Sequence, residues 1–103
     1  MSTDLHSLAD VNRLIHEPSR SVILAILAAV ESADFLYLQR ETGLTKGNLS
    51  VHLSKLEEAG YISIEKTYRG KIPLTLCRVT DDGRKAFDAY LNQLKRFVEN
   101  TKE

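Results

Sequence analysis

The side chains best suited to recognition chemistry fall in two clusters. Lys46, Asn48, Ser50, Val51 and Lys55 lie in the stretch GLTKGNLSVHLSKLEEAG, and Lys66, Tyr68, Arg69 and Lys71 follow it. Asparagine and serine exchange hydrogen bonds with base edges, a valine methyl meets a thymine methyl, and lysine and arginine hold phosphates. Gly47 and Ser54 would matter chiefly by being small. A solvated helix and a solvated hairpin tip are the alternative explanations. Other chemistry has less support. His6, His16, His52 and Cys77 are scattered, without Cys-x-Cys or His-x-x-x-His spacing, so no metal site is expected. Asp81-Asp82-Gly83 is accounted for by helix-start chemistry, without a cation loop. The chain carries no hydrolase motif, Gly-x-Gly loop or Walker sequence, so neither enzymatic activity nor a cofactor is expected. Cys77 reads as a small buried filler, because Arg78 alone does not create the electropositive pocket of a reactive thiol. His52 flanks an apolar stripe and reads as a partly buried residue touching a phosphate or a neighbouring side chain.

The first cluster needs a helix to present it. Thr45 suits the N-cap, and Gly60 suits the left-handed position after Ala59. Leu49, Leu53 and Leu56 form an apolar stripe that Ala59 continues, which leaves the small, polar and basic residues on the opposite face. Upstream, Phe35 and Leu38 mark one side of a short helix that Asp34 can cap. That helix breaks at Gly43 and is followed by Leu44. Downstream, Ile62 and Ile64 alternate with Ser63 and Glu65, and a turn at Arg69-Gly70-Lys71 leads to a return strand. On that strand Ile72, Leu74 and Leu76 share one face, while Pro73 belongs near the tip or on an open edge. Helix, turn, helix and hairpin in this order predict a winged helix-turn-helix, mainly α with a small β-hairpin.

The sequence resembles the winged-helix transcriptional regulators of the MarR and ArsR type, especially short single-domain members. The resemblance rests on Pro18-Ser19-Arg20, Phe35 to Leu38, Gly43-Leu44-Thr45, Asn48-Leu49-Ser50, His52-Leu53 and Leu56 to Tyr61, extended by Arg69-Gly70, Thr75, Thr80 and Gly83. It covers roughly residues 15 to 90. Gln39, four before Gly43, stands where the helix-turn-helix pattern commonly has a small residue, and it bears on the helix crossing angle. The resemblance implies sequence-specific binding of double-stranded DNA by a homodimeric regulator, a repressor by analogy. Residues 46 to 55 of each protomer would enter successive major grooves, with the wings alongside. Two alternatives stay open: a winged-helix module that binds a protein of the transcription machinery, and a regulator responsive to a small-molecule effector.

The rest of the chain bounds this expectation. At 103 residues it should form one domain, with a core over about 15–80 and terminal helices over about 4–16 and 81–100. Leu5, Leu8, Val11, Leu14 and Ile15 follow helical spacing, and Pro18 starts a second helix reaching about Val30. That second helix is apolar nearly all round and should be central to the core. Thr80 reads as the cap of the last helix, with Asp81 and Asp82 favoured by its dipole. Its stripe is broad and aromatic, so a second copy should cover part of it. Leu8, Val11, Tyr90, Leu94 and Phe97 are the expected dimer contacts. Fourteen basic and fourteen acidic residues cancel, so net charge argues for no polyanion. Between Gln39 and Lys71, however, six basic residues stand against four acidic ones. A single cysteine fits a reducing, cytoplasmic setting. The N-terminus makes a poor signal peptide, and the Val22–Val30 run is too short to span a membrane.

Overall fold

The computed structural model describes residues 11–102. Their order is α1 (Pro18–Ala28), β1 (Ala33–Asp34), α2 (Phe35–Thr42), α3 (Lys46–Glu58), β2 (Ile62–Arg69), β3 (Ile72–Val79) and α4 (Asp81–Thr101). Each of these helices begins on a side-chain cap that satisfies an otherwise orphaned N–H. Glu17 accepts from the Arg20 amide and Asp34 from that of Tyr37, both at 2.8 Å. Thr45 accepts from Asn48 at 3.1 Å, and Thr80 from Gly83 at 3.0 Å. Pro18 occupies the first turn of α1, where its missing N–H costs nothing. Gly43 closes α2 at φ 72°, and Gly60 follows α3 at φ 81°. These left-handed positions turn the chain sharply enough to stack α2, α3 and the hairpin in sequence.

The core lies where the helical stripes meet the sheet. Ile23, Leu24 and Leu27 of α1 are completely buried, as are Leu38 of α2 and Leu49 and Leu56 of α3. Leu53, Ile62 and Cys77 close the layer, and Phe87 and Tyr90 of α4 cover it. The antiparallel sheet has the order β1-β3-β2, with register running from Ile62↔Val79 to Arg69↔Ile72. Only Gly70 of the two-residue turn has positive φ, at 65°. Pro73 lies opposite Tyr68 in β3, the middle strand, yet its other edge is open because β1 pairs only with Leu76 and Cys77. Its missing donor therefore breaks no ladder on that side.

Three expectations are corrected. α1 ends at Ala28, short of Val30, because the chain must turn to lay Ala33 against Cys77; the Arg84 guanidinium takes up the Ala28 carbonyl at 3.1 Å. The helix expected over 4–16 is not present in its described part, which forms turns. There the Asn12 side chain accepts from the Leu14 and Ile15 amides at 3.0 and 3.3 Å, competing with helical bonds. Pro18 also forces Glu17 into extended geometry. Leu8 lies outside the described residues. Finally, Ala59 is exposed and does not extend the α3 stripe, because the helix closes there into the Gly60 turn.

The segment from Val11 to Glu17 straps the core. Val11 and Ile15 are buried, the Asn12 amide donates to the Tyr61 hydroxyl at 2.8 Å, and His16 Nδ1 meets the Tyr90 hydroxyl at 2.9 Å. Val11 and Tyr90 are thus consumed by the protomer's own core and offer little surface to a partner. Farther along α4, Leu91 and Val98 are exposed, and Leu94 and Phe97 are half-buried. No described helix is long and apolar enough to cross a membrane.

Candidate nucleic-acid interface

α3 presents two unlike faces because Leu49, Leu53 and Leu56 anchor it from behind. Lys46, Gly47, Asn48, Ser50, Val51, Ser54 and Lys55 are all exposed on the other side. Val51 is 53 % exposed, an apolar group in water that a thymine methyl would cover. The Thr45 cap fixes the first turn, so the backbone directions of Lys46 and Asn48 are set before any ligand arrives.

The hairpin stands beside α3, and an open groove of about 1000 Å³ separates them. Lys46, Ser50 and Ser54 line one wall, Lys66 and Arg69 the other, with Gln39 and Arg40 from α2 at the floor and rim. Four cations therefore converge there, against Asp34 and Glu57. At 100° per residue, Asn48, Val51 and Lys55 lie round the helix from this wall. Tyr68 and Lys71 are exposed at the wing tip and do not line the groove. The fold thus divides the two clusters: Lys46 and Ser50 share a concave surface with Lys66 and Arg69, while the remaining residues occupy the flank and the tip.

Several contributors had little sequence signal. Arg40 stands over the Tyr37 ring at 5.7 Å, held at the groove rim by a cation–π contact. Leu36 and Ile72 line the same groove at 70 % and 68 % exposure; helical spacing leaves Leu36 off the Phe35 and Leu38 side, whereas strand alternation groups Ile72 with Leu74 and Leu76. Arg20 reaches His52 from α1, a pairing that no spacing rule links. Burial pushes the Cys77 thiol up to about 11, with the Glu57 and Asp34 carboxylates adding to the effect, so the thiol stays protonated and unreactive at neutral pH. Among the described residues no group of three His, Cys, Asp or Glu side chains is placed to hold a metal ion.

Three helices followed by a β-hairpin, with a polar helix beside a cationic wing, define a winged-helix domain. The family model for the winged helix DNA-binding domain matches residues 20–98, and the chain belongs to that family. An uncharacterised protein of Methanocaldococcus jannaschii is 35 % identical over 89 residues, which is 85 % of this chain and 96 % of that protein. The structure of the transcriptional regulator homologue protein from Pyrococcus horikoshii OT3 superposes with a TM-score of 0.89 at 26 % identity, covering 95 % of this chain and 99 % of that one. A possible transcriptional regulator for arsenical resistance shares the fold at a TM-score of 0.62 and 21 % identity, over 88 % of this chain and 95 % of its own. The resemblance to winged-helix regulators therefore holds for both fold and family.

Proposed function

We propose that the chain is a homodimeric transcriptional regulator that binds specific duplex DNA and represses by occupying promoter sites. The observation that carries this is the exposed surface of α3 from Lys46 to Lys55, backed by buried leucines, whose Lys46, Ser50 and Ser54 edge faces Lys66 and Arg69 across the groove. Asn48, Ser50 and Val51 read base edges; Lys46, Lys55, Lys66, Arg69 and Lys71 hold phosphates, and Tyr68 packs at the wing tip. Dimerisation supplies the second recognition helix. Its surface is the outer half of α4, where Leu91, Leu94, Phe97 and Val98 leave an apolar stripe open after Phe87 and Tyr90 have entered the core. An isologous contact there predicts inverted-repeat sites with half-sites about 10 bp apart.

Selection of bound sequences from a random duplex library, followed by footprinting, tests this. The expected result is an inverted repeat protected on one face of the duplex. Protection of one short half-site at protein excess would refute the dimeric mode. A second function is favoured by Leu36 and Ile72, whose exposure on the groove walls is not needed for holding phosphates: a winged-helix module docking a protein of the transcription machinery. It predicts no binding to random duplex at low salt.

A further inference from the structure

Arg20 in the first turn of α1 lies against the flank of α3. Its Nε donates to the Leu14 carbonyl, and its Nη1 lies 3.0 Å from His52 Nδ1. A guanidinium has only donors, so His52 Nδ1 must accept, and the neutral ring carries its proton on Nε2. Among the described residues nothing accepts from that Nε2–H or from the rest of the guanidinium fork. The ring is only 18 % exposed, so a fixed donor sits at the edge of the recognition helix without a partner. By helical spacing His52 shares its flank with Asn48 and Lys55, on the side of α3 turned away from Ser50 and the wing. A duplex entered by α3 has its second backbone strand on that side.

Resting on the DNA reading above, we propose that Arg20 and His52 form a phosphate clamp on the α1 side of the recognition helix, opposite the wing. His52 donates from Nε2, and Arg20 both fixes its tautomer and supplies charge. The two lie 32 positions apart and meet only through α1–α3 packing. Glu17 tempers the clamp: its carboxylate caps α1 at the Arg20 amide and lies 3.9 Å from His52 Nδ1. That carboxylate repels the same phosphate the clamp attracts.

The test is a set of salt titrations of the full chain on random and selected duplexes, for the parent, Arg20→Gln, His52→Leu, His52→Gln and Glu17→Gln. Arg20→Gln should flatten the slope of log K against log[salt] by about 0.9 per bound protomer. His52→Leu should weaken both duplexes alike by about fivefold without changing the slope, since a neutral donor releases no counterion. His52→Gln, whose amide nitrogen reaches the Nε2 position, should restore most of that loss. Glu17→Gln keeps the cap oxygen and should tighten binding to both duplexes. Melting curves of each variant at both ends of the salt range confine the titrations to conditions where it is fully folded, so destabilisation cannot imitate the Arg20 result.

If the parent binds DNA but Arg20→Gln retains its full slope, the pair only staples α1 to α3 and the clamp is wrong. A parent that binds no duplex at all overturns the DNA reading itself, and the clamp with it. Inorganic phosphate gives the third arm. Should millimolar phosphate raise the parent's melting temperature but not that of Arg20→Gln, with DNA slopes identical, the site holds a free anion and not the DNA backbone.

Discussion

Replacing Gly83 with alanine tests how α4 is seated on the wing root. In an exposed helix this change stabilises by about 1 kcal/mol. Here a Cβ at Gly83 would run into the Tyr61 carbonyl and lie 2.9 Å from Val79 Cγ2. The carbonyl is backbone at the junction of α3 and β2, so it cannot swing away as a side chain does. It also accepts the Thr80 amide at 3.0 Å, while the Thr80 hydroxyl donates to the Gly60 carbonyl at 2.6 Å and accepts from the Gly83 amide. Relieving the overlap moves α4 away and loosens all three bonds. Loss of the cap costs about 1 kcal/mol, a strained backbone bond about 1, and overpacking about 1–3. Set against the helical gain, the net destabilisation is about 2–4 kcal/mol. For a domain of this size that lowers Tm by roughly 10–30 °C. Circular dichroism melting at one fixed protein concentration is the assay, because a dimer's Tm depends on concentration. An unchanged or raised Tm would refute the packing described for Gly83.

Further outcomes follow from the α4 stripe, the α3 face, the wing and the buried thiol. Leu94→Glu with Phe97→Glu should yield folded monomers in sedimentation and much weaker DNA binding; a parent that is monomeric at micromolar concentration would sink the α4 interface. Asn48→Ala should cost roughly 1–3 kcal/mol per half-site on the selected sequence and little on random duplex. Arg69→Ala should weaken both duplexes alike and flatten the dimer's salt slope by about 2, and the reverse pattern would exchange the two roles. Cys77 should resist alkylation in the native protein at pH 8 and react at once in denaturant. Because its thiol is raised to about 11 from an ordinary value of 9.0, the stability it contributes is present below pH 9 and is lost as pH rises toward 11. Cys77→Ala should therefore flatten the alkaline arm of the stability curve, and an identical arm would show that burial does not hold the thiol protonated.

What the sequence determined by itself is local. Thr45 and Thr80 cap the helices they precede, Gly43, Gly60 and Gly70 take the left-handed positions, and Leu49, Leu53 and Leu56 bury one face of α3. Each depends on hydrogen bonds or periodicity within about four residues, where side-chain type fixes backbone geometry directly. The exposed positions of α3 follow by elimination from that stripe. Tertiary structure decided whatever joins distant segments. The turns from Asn12 to His16 stand where periodicity favoured the last part of a helix, because Val11 and Ile15 reach the core while Asn12 and His16 bond to Tyr61 and Tyr90, 49 and 74 positions away. Those contacts placed Val11 and Tyr90 inside one protomer and left the stripe at Leu91, Leu94, Phe97 and Val98 open. Gly83 reads in sequence as part of a helix start and becomes indispensable only where α4 meets the Tyr61 carbonyl. Arg20 and His52 could not be paired from spacing for the same reason: packing of α1 on α3 sets their distance, and it depends on the whole core.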